Sequence, residues 1–221
     1  MASVLEELGI SQEVVQSVEP EDVYEGKTIP SGLYDAVVDK AYIRKTDSGA
    51  KMLEIDFELV AENGSKRPFH YSTAIASGDQ KGNKTTYTSK QGKELPLPGV
   101  ISLTKFLQAI NSVDAQAQKG EVEHNGTKME VLAFKGLQGK KLKLGINQYE
   151  NFYNGEVSIR NDVKYWLDAE GKNSEGKDIT DKVKESLEKF PLKKLKNQPS
   201  AGTMQPSGSV SGDSEVAASG W

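Results

Sequence analysis

Between Met52 and Leu59 the chain alternates without a break. Leu53, Ile55, Phe57 and Leu59 fall on one face, and Met52, Glu54, Asp56 and Glu58 on the other. A period of two is what a half-buried strand requires, because successive side chains point to opposite faces of a sheet. The preceding stretch, Leu33 to Arg44, is rich in Val, Tyr and Ile and equally extended in character. Lys45 to Ala50 joins the two, with Asp47, Ser48 and Gly49 supplying turn chemistry. The pattern predicts a long antiparallel hairpin, entered through Pro30-Ser31-Gly32, with a basic tip of Arg44, Lys45 and Lys51. A long curled hairpin of this kind can seed a small β-barrel.

The rest of the chain supplies further strands and two helices. Asn63-Gly64 marks a turn, and Phe69, Tyr71, Thr73 and Ile75 predict a third strand. Residues 77–99 show no hydrophobic periodicity, and Lys81, Lys84, Lys90 and Lys93 surround Tyr87. Loops this long inside a compact domain are usually functional or disordered, and this one has the composition to close over an anionic strand. Val100, Leu103, Leu107 and Ile110 lie on one face of a 3.6-residue period, predicting a helix from near Gly99 to about Val113. The stretch QAQKGEVEHNG reads as a polar connector, and residues 128–135 are ambiguous between strand and helix. Leu142, Leu144 and Ile146 then alternate with Lys141, Lys143 and Asn147, and Asn154-Gly155 favours a type I′ hairpin turn. The return strand carries Val157, Ile159, Val163 and Tyr165, with Arg160, Lys164 and Trp166 on its other face if no bulge intervenes. Ile179, Val183, Leu187 and Phe190 define a C-terminal helix that Pro191 stops. Three strands, a helix and at least two more strands is the order of an OB-fold, a mainly β, five-stranded Greek-key barrel with its helix between strands 3 and 4. A β-sandwich with a crossing helix is the competing architecture.

Charge divides the chain into three. The net charge of −4 includes seven acids and no Lys or Arg in residues 1–26, and two acids and no base in residues 197–221. The body, residues 27–196, is therefore net positive, which points to a polyanionic partner. Residues 1–26 are expected to form short helices or to be flexible, with Leu5, Leu8, Val14 and Val15 as apolar positions. From 197 onward the chain is Ser, Gly, Pro, Ala and Gln, too polar to offset its ordering entropy, and is expected to be disordered. No 18-residue apolar run and no basic, apolar leader are present, so a cytoplasmic location is expected.

Sites for chemistry fail on inspection. Glu25-Gly26-Lys27-Thr28 resembles the end of a phosphate-binding loop, but position 21 is Glu where that motif needs Gly. Asp168 to Asp181 lacks the alternating ligands of a calcium loop. His70 and His124 have no ligand-spaced partner, and there is no Cys for a zinc site or disulfide. No catalytic constellation, metal site or cofactor site is expected, and the chain reads as a non-enzyme.

What remains is aromatic side chains interleaved with cations. Tyr42, Arg44, Lys45 and Lys51 cluster at the first hairpin, and Arg67 lies on the third strand. Tyr87 sits among Lys81, Lys84 and Lys90. Lys141 and Lys143 precede Tyr149, Phe152 and Tyr153 at the second hairpin, followed by Arg160, Lys164 and Trp166. Single-stranded nucleic acid is held in this way, with rings stacking on bases while Lys and Arg follow the backbone.

The run IPSGLYDAVVDKAYIRKTDSGAKMLEIDFELV, with FKGLQGKKLKLGI and the hairpin leading to RNDVKYWLDAEGK, resembles a group of bacteriophage single-stranded DNA-binding proteins with OB-folds. The similarity covers roughly Ile29 to Lys172. It implies a protein that coats and protects unwound DNA without strong sequence preference during phage replication or recombination, in the cytoplasm of an infected host. Many such proteins end in a flexible acidic tail with a terminal aromatic residue that recruits replication or recombination proteins, and Trp221 matches that aromatic end. Two other readings stay open: a structural or assembly protein of a phage, and an inhibitor of a host nuclease or recombinase.

Overall fold

A computed structural model describes residues 28–60, 64–124, 127–153 and 156–194. The acidic segment 1–26 and the stretch 197–221 lie outside the described residues. In chain order the elements are β1 (Gly32–Lys45), β2 (Lys51–Val60), β3 (Lys66–Ala76), β4 (Thr86–Thr88), β5 (Glu94–Pro96), α1 (Pro98–Ala109), β6 (Ala117–His124), β7 (Thr127–Phe134), β8 (Lys141–Tyr153), β9 (Glu156–Leu167), α2 (Thr180–Lys189) and β10 (Leu192–Lys193). The fold is mainly β, with two helices among the described residues. Among the described residues no helix is long and apolar enough to cross a membrane.

The main sheet follows the antiparallel path β9–β8–β1–β2–β3. β1 is long enough to pair twice along one edge, with β8 over Gly32 to Val37 and with β7 at Tyr42 and Ile43. β7 in turn carries β6, and β10 adds a short parallel pairing to β8. Among the described residues β3 pairs only with β2, and β9 only with β8, so the sheet is open rather than a closed barrel. More strands are present than the five expected. The stretch read as a polar connector is mostly β6, and the ambiguous 128–135 is mostly β7. Pairing decides the structure there: β6 has no buried apolar face, yet every residue from Ala117 to His124 has a partner on β7.

The core lies where the alternation places it. Leu53, Ile55, Phe57 and Leu59 are all buried. Facing them are Ala36 and Val38 of β1, Phe69 and Tyr71 of β3, and Leu142, Leu144 and Ile146 of β8. Helix α1 covers the opening between β3 and β9, with Gly99, Phe106 and Ala109 buried and Val100, Leu103 and Leu107 packed at the margin. Its buried stripe is thus wider than the four predicted positions. Gly99 is required by contact: a Cβ there would lie 2.1 Å from the carbonyl oxygen of Ala74 on β3.

Trp166 belongs to this core, not to a binding surface. Its ring centroid lies 5.2 Å from that of Tyr71, 5.9 Å from Phe106 and 6.2 Å from Phe57. The register explains the change of face. Gly145 pairs with Tyr165 but Ile146 pairs with Val163, so Lys164 is an extra residue in β9. Such a bulge shifts the inside-outside parity of everything beyond it, and Val163 and Trp166 both turn inward. A second bulge at Asp39 does the same in β1, where Val38 and Ala41 are both buried.

Helix α2 packs on β1 and β8 through a separate cluster of Val183, Leu187 and Leu167, with Leu33, Tyr165 and Ile179 at its margin. Phe190, expected on its buried face, is 57% exposed. It follows Lys189, where the helix has ended and the backbone no longer carries the helical period. Trp166→Ala should therefore destabilise the fold by about 3–5 kcal/mol, and Phe190→Ala should change little, as urea denaturation would show. A mild Trp166→Ala effect would mean that the open side of the sheet is held by something other than the rings.

Candidate nucleic-acid interface

The β1–β2 turn is pinned rather than free. Gly49 donates its N–H to Thr46 O, and Asp79 donates its N–H to Ser48 O across from the chain that leaves β3. Gly49 has φ +83°, and a Cβ there would meet the Asp79 carboxylate within 2.1–2.3 Å, so only Gly fits both the turn and the contact. Lys45 adds an ion pair to Asp79 at 3.4 Å.

The segment 77–99 is not structureless. A single 3-10 turn, Asp79–Lys81, is followed by the small β4–β5 hairpin, where Tyr87 pairs with Leu95. Ser77 donates its N–H to Lys84 O, and Leu97 donates its N–H to Thr85 O just before α1 begins. The hairpin is thus anchored at one side by the β1–β2 turn and at the other by α1. Its exposed surface carries Lys81, Lys84, Lys90 and Lys93, with Tyr87 42% exposed among them. Lys51, exposed at the start of β2 and paired in register with Ala76, adjoins the same end of the sheet. Asp47, Asp79 and Glu94 are the acids of this region, and six lysines (45, 51, 81, 84, 90 and 93) outnumber them.

Two residues expected here are withdrawn into the fold. Tyr42 is only 2% exposed and presents no face to a base. Arg44 donates from Nε to Oε1 of Glu54 at 2.6 Å. Glu54 is fully buried on the face of the sheet opposite the core, and sequence reasoning gave it no role. His70 completes the cluster, with Nδ1 2.6 Å from Asp56 Oδ1 and Nε2 3.0 Å from Glu54 Oε2. The second contact is poorly aligned for a hydrogen bond. Burial pushes the Glu54 carboxyl up, but contacts with His70, Ser72 and Arg44 more than offset this and hold it below its usual value. Contacts with Asp56 and then Glu54 raise His70 from 6.5 to about 9, against the opposing effect of burial. The signal was present in the alternation: Glu54 and Asp56 share one face, and β3 sets His70 directly across from Asp56.

The remaining cations and rings are dispersed. Arg67 is exposed on β3. Lys143 pairs with Asp35 and is not free for phosphate. Lys141 and Lys164 line an open groove of about 740 Å³ between the end of α1, the end of β9 and the loop after it. Lys105 and Lys172 enter the same groove, opposed by Asp168 and Glu170. Lys164 also lies 5.1 Å over the Tyr165 ring and donates to Ser186 Oγ at 3.3 Å. Tyr149 and Arg160 face each other on the outer part of the β8–β9 hairpin, with Phe152 44% exposed nearby. The side chain of Tyr153, like Trp221, lies outside the described residues. Comparison with protein-family models and with curated proteins finds no match for this chain.

The His70 cluster gives a pH dependence of known sign. A group whose pKa is raised on folding contributes stability that is complete below its unfolded value, about 6.5, and is lost as pH rises through its folded value, about 9. Melting temperatures measured from pH 6 to 10 should fall more for the native protein than for His70→Gln, chiefly between those two values. Parallel profiles would remove His70 from the stability of this face.

Proposed function

We propose that this protein is a non-enzymatic single-stranded DNA-binding protein, of the phage replication or recombination type that its sequence resembles. The observation that carries the reading is the pinned end of the sheet, where Lys51 and, on the segment 77–99, Lys81, Lys84, Lys90, Lys93 and the ring of Tyr87 are all exposed. Cations of this density attract a polyanion, and an exposed ring among them distinguishes a single strand from a duplex, whose bases are already stacked. The five-strand path supports the same reading. Helix α1 falls between its third and fourth strands, β3 and β8, as in an OB-fold, and the sheet would be a variant of that barrel left open between β3 and β9. The groove of Lys105, Lys141, Lys164 and Lys172 offers a further place for phosphate. Among the described residues His70 is the side chain whose titration is most displaced, and each of its ring nitrogens lies within 3.0 Å of a carboxylate oxygen, which favours a structural over an acid–base role.

Anisotropy titrations with labelled oligo-dT, oligo-dA and a duplex test this reading. Binding should favour both single strands over the duplex, with little difference between them, and should weaken steeply with salt. Replacing Lys81, Lys84 and Lys90 together by Ala should flatten the slope of log affinity against log salt by about 2, at roughly 0.7 per phosphate contact. Tyr87→Ala should cost about 1–3 kcal/mol of binding and leave the melting temperature unchanged. A flat salt response, or preference for duplex, would refute the proposal.

A further inference from the structure

The pairing of β1 with β8 ends where Gly32 meets Ile146. Past this point β8 and β9 continue together to Tyr153 and Glu156, and among the described residues the one further strand paired with them is the two-residue β10, at Gln148 and Tyr149. The outer part of the hairpin is therefore a two-stranded arm. Such ribbons are marginal in water on their own. This one also exposes an apolar face: Phe152 and Val157 pair across it, Ile159 lies next in line, and they are 44%, 51% and 45% exposed.

The free edge of the arm is guarded only at the ends of a short run, by Glu156 and Arg160. Natural sheets protect their edges with charge, Pro or bulges. β3 begins its free edge with Lys66, Arg67 and Pro68, and β6 carries Lys119, Glu121 and Glu123 along its own. The outer edge of β9 offers Val157, Ser158 and Ile159.

We propose that β9 pairs with the β9 of a second copy of this chain, antiparallel and centred on Ser158. The run Glu156-Val157-Ser158-Ile159-Arg160 is complementary to itself in that register. Glu156 of one copy faces Arg160 of the other, Val157 faces Ile159, and Ser158 faces Ser158. The Glu156–Arg160 and Val157–Ile159 contacts each occur twice and the Ser158–Ser158 contact once, on the axis, as a two-fold interface requires. Directly opposed side chains share one face of a sheet, so Phe152, Val157 and Ile159 of both copies gather on the same side. Neighbouring registers lose this match: centring on Val157 sets Glu156 against Ser158 and parts it from Arg160. Centring on Ile159 sets Glu156 against Asp162, and a slip of a single residue sets charged side chains against apolar ones. A short strand pairing lies at the small end of specific interfaces, so the dimer is concentration-dependent.

Sedimentation equilibrium on the full chain over a wide concentration range reads the result. The native protein should dimerise reversibly. Glu156→Arg alone and Arg160→Glu alone should each weaken the dimer at least tenfold, because like charges then face each other. The double variant Glu156→Arg/Arg160→Glu restores the complementarity and should restore the dimer. Because the chain has no native Cys, Ser158→Cys should cross-link copy to copy with a short bis-maleimide, and Ser72→Cys on exposed β3 should not. Folding of each variant is checked by circular dichroism.

The rival occupant is the chain's own N-terminal segment. Thr28 and Ile29, where the described chain begins, are bonded to Gln148 and Asn161 at the base of the arm. A native protein that stays monomeric, single charge reversals without effect, a double variant that fails to recover, or a dimer lost on deleting residues 1–26 while surviving Glu156→Arg would each overturn the pairing. The result is independent of DNA binding, which is measured separately by the oligonucleotide titrations.

Discussion

A sheet that does not close needs some other means of joining its two ends, and here four aromatic rings supply it. Phe57 on β2, Tyr71 on β3, Phe106 on α1 and Trp166 on β9 meet with centroid separations of 5.2–6.2 Å. A closed barrel would tie β3 to β9 by a ladder of backbone hydrogen bonds. In this chain the gap is bridged by side chains, with α1 laid into it. The Tyr71 hydroxyl donates to Ser102 Oγ on α1 at 2.9 Å, so its polar end is satisfied within the same seam. The arrangement depends on the bulge at Lys164. Without that extra residue Trp166 would face outward and the seam would lose the ring that touches the other three.

That dependence also marks where sequence reading succeeds and where it stops. The alternation of β2, the turn at residues 46–50, the β8–β9 hairpin and the burial of Val183 and Leu187 are all legible from spacing, because each is a local pattern with a single face to bury. Trp166 and Tyr42 are not. The side on which Trp166 lies is set by the bulge upstream of it, and a bulge leaves no sign in residue type when the extra residue is an ordinary Lys. β6 is illegible for a different reason. Its polar residues become a strand because β7 lies beside them, a decision made by pairing rather than by propensity. The lysines of residues 77–99 were visible in the sequence, but their fixed placement was not. It rests on the hydrogen bond from Asp79 N–H to Ser48 O and on the close approach of the Asp79 carboxylate to Gly49, some thirty residues away.

Charge is distributed so that one face is neutralised and one end is not. On the outer face of β1–β2–β3, Arg44, His70 and Lys66 each meet a carboxylate from Glu54, Asp56 or Glu58. A buried Glu54 is tolerable only because cations meet it, and the cost is that Arg44 and His70 are committed to the fold. A polyanion approaching this face would compete with carboxylates already in place. The lysine-bearing end has fewer such rivals, and under the DNA-binding proposal the strand would track that end and the rim of the sheet more than the middle of its outer face.

The two proposed surfaces are also separated by the geometry of β1. Its first residue, Gly32, lies at the base of the arm, and its last, Lys45, lies at the lysine-bearing end, roughly 40 Å of extended strand away. Pairing through β9 would therefore leave both lysine ends of a dimer uncovered and facing away from the shared axis. Two weak sites joined in this way act as one stronger site, because the first contact sets an effective concentration for the second. The gain is available only to a ligand long enough to span both ends, so a dimer of this form would discriminate by length of strand where its individual sites discriminate only by charge and base stacking.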